Sequence, residues 1–166
     1  STEGRLPIFP DEATRLAAIH KLGASAQDEL AMFSIVDDHV HAVLCGDRAL
    51  VARRARAITR VLRQLAAVPI DSPRIRAVND RTHMNNVFGY LLRQPSHHEI
   101  PVHSALWSGG CFLDLVGARH IAGLRLCLPA VMPRITPADA LGALGLGRHP
   151  IEPAGLELVA AAGAHD

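Results

Sequence analysis

His39 and His41 stand two residues apart in the segment His39-Val40-His41-Ala42-Val43-Leu44, whose apolar, β-branched character predicts a strand. Side chains two apart on a strand project from one face, with Cα atoms roughly 6.5 Å apart. Two neutral imidazoles at that spacing can converge on one divalent cation. The chain's one tyrosine is Tyr90, and Gln94 follows four residues later, so on a helix the phenol and the amide share a face. Two nitrogens and an amide oxygen would hold a metal and leave positions for a substrate phosphate, which a phenol beside them could attack as a covalent nucleophile. Each residue also has a plainer reading. An HxH pair can be two ordinary strand histidines, a tyrosine is more often an amphipathic core residue, and a glutamine in the last turn of a helix is often just solvated.

Other titratable and charged residues could serve such chemistry. Between Arg48 and Arg63 there are six arginines and no acid. Four of them, Arg53, Arg56, Arg60 and Arg63, fall on one side of the predicted helix, either as a solvated face or as a row of phosphate contacts. His83, seven residues before Tyr90, and His97 and His98, just beyond the same helix, are either helpers of the phenol or exposed histidines.

In this order the motifs resemble the single-tyrosine HUH transposases, the group that includes insertion-sequence transposases and REP-associated tyrosine transposases. His39-Val40-His41 matches the family's His-hydrophobic-His strand. The stretch Tyr90-Leu-Leu-Arg-Gln-Pro95 resembles its Tyr-x-x-x-Asn-Pro signature, and Ala105-Leu-Trp-Ser108 resembles its downstream Trp-Ser turn. The likeness covers roughly residues 4–117, and the short interval from His41 to Tyr90 is closer to the REP-associated branch. The resemblance implies that His39, His41 and Gln94 hold Mg²⁺ or Mn²⁺, and that Tyr90 forms a 5′-phosphotyrosine on single-stranded, hairpin-bearing DNA. It further implies that Arg53, Arg56, Arg60 and Arg63 contact the DNA backbone. Two departures stand out: Asp38 occupies a position that is usually Asn, and the family's first strand would precede Ser1. A carboxylate at 38 adds negative charge beside the proposed metal. Two other readings of the same residues are a domesticated relative that binds DNA hairpins without cutting, and a small metal hydrolase that activates water.

The elements that must position these groups follow from patterning. Pro7 to Pro10 reads as a loop. A helix is predicted from Asp11 or Glu12 to about Leu22, with Leu16, Ile19 and His20 near one face and Gly23 as its stop. Residues 29–36 (ELAMFSIV) and 39–44 read as two strands around the Asp37-Asp38 turn, a hairpin in the middle of a sheet. Asp47 caps a long helix reaching about Ala67, with Val51, Ala55, Ile58, Leu62 and Leu65 as its apolar stripe. Pro73 to Val78 is a candidate strand. A helix beginning at Thr82 or Asn85 ends at Gln94, where Pro95 stops it. A Trp-Ser-Gly-Gly turn at 107–110 and a short helix at 112–116 follow. Thr136 then caps small helices at 140–146 and 155–162. The expected fold is α+β, a ferredoxin-like antiparallel sheet with helices on one face. A catalytic domain spans 1–120 and a helical extension 121–166.

Composition is compatible with this. The 166 residues are 49% apolar and suit one globular domain. No apolar run is long enough for a membrane span, and Ser1-Thr2-Glu3-Gly4-Arg5 does not read as a secretory signal. The sequence begins at Ser1 rather than at a Met. Three isolated cysteines, Cys45, Cys111 and Cys127, fit buried small hydrophobes in a reducing cytoplasm. Four Phe, one Trp and one Tyr give six aromatics, little material for base-stacking platforms, so recognition through phosphates and hairpin shape is expected. Either a monomer or a homodimer is compatible.

Overall fold

The computed structural model describes residues 7–102, 106–135 and 142. Within them the chain is mixed helix and strand, with one two-stranded antiparallel sheet and several helices. The strands are β1 (Leu30–Val36) and β2 (His39–Leu44). Their register pairs Ser34 with His41 and Val36 with His39, as the Asp37-Asp38 turn requires.

β1 is the centre of the molecule. All seven of its residues are buried, so both of its faces are covered. Its edge away from β2 is also occupied: Ile35 N–H donates to the Gly109 carbonyl (2.9 Å), Cys111 N–H to Phe33 O (3.1 Å) and Cys127 N–H to Leu30 O (2.7 Å). The Trp107 indole N–H donates to Ile35 O at 2.8 Å. These segments pair with β1 without forming a named strand, and among the described residues the sheet has two strands.

Helix α1 (Glu12–Ala26) starts at Asp11, whose carboxylate accepts the Thr14 N–H at 2.8 Å. It runs through Gly23, the expected stop, to end at Ala26. Gly23 is instead a point of close approach, because a Cβ there would come within 2.8 Å of Leu124 Cδ1. The buried face is Ala18, Ile19, Leu22, Gly23 and Ala26, an arc of roughly 140° at 100° per residue. Leu16 and His20 fall just outside that arc and are exposed, which corrects their expected place beside Ile19.

Helix α2 (Arg48–Leu62) is capped by Asp47, which accepts the Leu50 N–H at 2.8 Å. It is shorter than expected, since beyond Leu62 the chain is drawn away and Ala67 N–H donates to Ile8 O at 2.9 Å. Ile58 and Leu62 are buried, with Leu65 partly so. α2 packs on α1, while α3 (Arg81–His97) packs on β1. The expected strand at 73–78 is absent, and residues 71–77 are an exposed segment. Pro69 and Pro73 lack donors, and both edges of β1 are already taken.

α3 also differs at its end. It is capped by Asp80, and it passes through Pro95 to His97. Pro95 sits in the last turn, where its missing N–H deprives one carbonyl, and its ring is fully buried. A four-residue helix α4 (Phe112–Leu115) follows the 107–110 turn.

The core continues past residue 120, since Ile121 and Met132 are buried in the same cluster as β1 and α1. No helix was found over 121–135. The Thr136 cap and the helices expected at 140–146 and 155–162 lie outside the described residues, apart from Gly142. The three cysteines are free; Cys111 is buried, and Cys45 and Cys127 are half-buried beside each other. Among the described residues, no helix is long and apolar enough to cross a membrane.

Candidate metal and nucleophile site

Alternation on β2 puts His39 and His41 on one face, opposite Val36 and Ser34. Their rings lie edge to face, 4.8 Å apart between centroids. α3 crosses this end of the hairpin and delivers Gln94, which is 2% exposed and buried for a polar residue. His39 Nε2 and Gln94 Oε1 are 3.2 Å apart. One helical turn earlier, the Tyr90 ring stands 5.3 Å from that of His41, with nearly half of its surface open to solvent. The four residues singled out from sequence therefore meet at one place, although they come from segments about fifty residues apart.

Two further residues belong to the cluster. Asp38 Oδ1 lies 2.5 Å from His39 Nδ1 and 3.4 Å from His98 Nδ1. The His98 ring is 4.7 Å from that of His39. Donor atoms of Asp38, His39 and His98 lie within 4.8 Å of one another. Asp38 was legible as a departure from the expected Asn, but its contact with His98 was not. From sequence His98 has no defined direction, because a helix ended at Pro95 puts it in the loop that follows. His83 and His97 make no ring contact or ion pair with the cluster among the described residues.

Protonation decides what these groups can bind. Asp38 Oδ1, 2.5 Å from His39 Nδ1, is close enough to hold the orientation of that ring. Its Nε2 is within hydrogen-bond distance of Gln94 Oε1, and whether that nitrogen donates or offers a lone pair depends on the tautomer. His41 Nε2 is buried without a well-formed hydrogen bond, although the Gln94 amide is near enough to act on the ring. The His41 pKa is lowered, first by burial and then by its neighbour His39, while the Gln94 amide pulls it partly back. Neutral imidazole, the form that binds metal, is thereby favoured. Two donors each about 2.1 Å from an ion and subtending about 100° would lie about 3.2 Å apart, which suits the His39–Gln94 spacing. The donor types of His39, His41 and Gln94, and the His39–Gln94 spacing, are compatible with a divalent cation.

The arginine row is elsewhere. Arg53, Arg56 and Arg60 are exposed on α2 and Arg63 is exposed at its C-cap; α2 packs chiefly on α1, whereas the helix that carries Tyr90 and Gln94 packs chiefly on β1. Arg63 Nε donates to the Ile70 carbonyl at 2.9 Å. Arg54, outside the row, is committed to Glu29 at 2.9 Å.

No protein-family model matches the chain, and comparisons with curated proteins and with solved structures likewise found no match.

Proposed function

We propose that this chain is a metal-dependent enzyme that nicks and rejoins single-stranded, hairpin-bearing DNA in the cytoplasm, in the manner of a single-tyrosine transposase. The observation that carries the reading is the meeting of His39, His41 and Gln94 beside the exposed Tyr90 phenol.

His39, His41 and Gln94 would hold Mg²⁺ or Mn²⁺, with Asp38 beside His39 Nδ1 orienting that ring. When bound, a divalent ion supplies charge that polarises a phosphate oxygen. Tyr90 then attacks phosphorus. The tyrosyl O–P bond forms as the P–O3′ bond breaks, the phenol gives up its proton, and the departing 3′-oxygen gains one. The resulting 5′-phosphotyrosine retains the bond energy needed for rejoining. Arg53, Arg56, Arg60 and Arg63 offer exposed guanidiniums to the DNA backbone. We read the hairpin as the middle of a larger, ferredoxin-like sheet; the backbone pairing along the second edge of β1 supports this.

The test uses a hairpin-bearing single-stranded oligonucleotide with Mn²⁺. Cleavage is expected from the natural chain and lost in Tyr90→Phe and in His39→Ala. Cleavage by Tyr90→Phe at the natural rate contradicts the assignment. Because the hydroxyl sits on an exposed side chain, Tyr90→Phe should fold normally.

A further inference from the structure

His98 and Asp38 have no part in the three-donor set, yet they are held against it. The His98 side chain is only 11% exposed and that of Asp38 only 9%. Both are more enclosed than His39, at 38%. Donor atoms of Asp38, His39 and His98 lie within 4.8 Å of one another, a spacing that one shared cation can span.

The backbone is arranged to bring His98 in. α3 continues past Pro95 and ends with His98 N–H donating to the Gln94 carbonyl at 3.1 Å. The next residue, Glu99, turns the chain with φ 54°, a left-handed conformation that a non-glycine side chain adopts at a cost. A strained turn and a helix carried through proline together place one imidazole 4.7 Å from His39.

We propose that His98 is a further ligand of the metal centre, held together with His39 by the Asp38 carboxylate, and that the centre prefers borderline transition ions over Mg²⁺. This rests on the metal-site reading above and extends its ligand set. Mg²⁺ takes oxygen donors and sheds water reluctantly, whereas imidazole donors suit later ions such as Co²⁺, Ni²⁺ and Zn²⁺. Three imidazoles and one amide oxygen make a nitrogen-rich set. The short Asp38–His39 contact is a hydrogen-bond distance, so the carboxylate orients the two rings and is not counted as a ligand.

The experiment titrates the chelator-stripped full chain with Co²⁺ and follows its visible absorption, with circular dichroism to check each variant's fold. His98→Ala should weaken Co²⁺ binding by at least about tenfold and alter the band. Asp38→Asn should weaken it by roughly 10–100-fold, as loss of an orienting partner does. His97→Ala, an exposed neighbour, should match the natural chain. Millimolar Mg²⁺ should not displace Co²⁺; ready displacement overturns the selectivity. Co²⁺ binding that is natural in His98→Ala but lost in His39→Ala overturns this inference and leaves the three-donor site standing. Natural binding in His39→Ala and His41→Ala as well overturns both. Should His98→Ala not fold, Zn²⁺-induced shifts of the His98 ring ¹⁵N signals in the natural chain decide the matter: a shift supports ligation, and none refutes it.

Discussion

Replacing Gly109 with alanine should destabilise the protein far more than the same change at its neighbour Gly110. A Cβ at 109 would collide with the Ile35 carbonyl oxygen and come within 2.5 Å of Trp107 Nε1. Neither can move freely, because the indole donates to that carbonyl and Ile35 N–H donates to the Gly109 carbonyl. Relief requires the 107–111 segment to separate from β1. Losing two hydrogen bonds at roughly 0.5–1.5 kcal/mol each, with about 1 kcal/mol or more of overpacking, gives about 2–4 kcal/mol. For a domain stable by about 5–15 kcal/mol that is a large fraction. At Gly110 the nearest atom to a Cβ would be Trp107 O at 3.5 Å, ordinary contact, and the cost should stay below about 1 kcal/mol. Trp107 is the only tryptophan and lies at the affected joint, with the Arg15 guanidinium over its ring at 4.4 Å. Urea unfolding followed by its fluorescence therefore reports directly on this region. Equal midpoints for the two variants would refute the placement of the 107–111 segment along β1.

Two other expectations follow from the charges. His41 has a lowered pKa in the fold, so the unfolded chain binds more protons below its ordinary value of 6.5. Its contribution to stability is complete above about pH 6.5, falls as pH drops towards the folded value, and is constant below that. His41→Gln should flatten this part of a plot of metal-free stability against pH, and an unchanged slope contradicts the burial of a neutral ring. If the α2 row contacts phosphates, each of Arg53→Ala, Arg56→Ala and Arg60→Ala should reduce the salt dependence of DNA affinity by about one unit of log–log slope. Unaltered slopes would make the row a solvated face.

What could be read from sequence was what is local. The β1–β2 hairpin was legible because the Asp37-Asp38 turn separates two apolar runs, and Asp11 and Asp47 cap helices where expected. Tyr90 and Gln94 share a face through spacing alone. That Gln94 reaches His39 depends on tertiary packing across fifty-five residues, which donor chemistry and the family resemblance suggested but no local pattern encodes. Pro95 misled because proline normally ends a helix, but near a C-terminus it costs little and its buried ring adds packing. With the helix ended there, His98 was invisible as a member of the cluster. Pro73 to Val78 has the alternation of a strand but no free edge of β1 to pair with, and such competition cannot be seen from one segment.

The central claim, a metal-assisted tyrosine nucleophile, is tested most directly by mapping the covalent product. After incubation with a hairpin-bearing single-stranded oligonucleotide and Mn²⁺, nuclease trimming and tryptic digestion isolate the peptide 82–93, which contains Tyr90. The account predicts, by mass spectrometry, a phosphodeoxynucleotide on Tyr90 of that peptide, absent when metal is withheld. Cleaved DNA accompanied by an unmodified 82–93 peptide at every time point would contradict it.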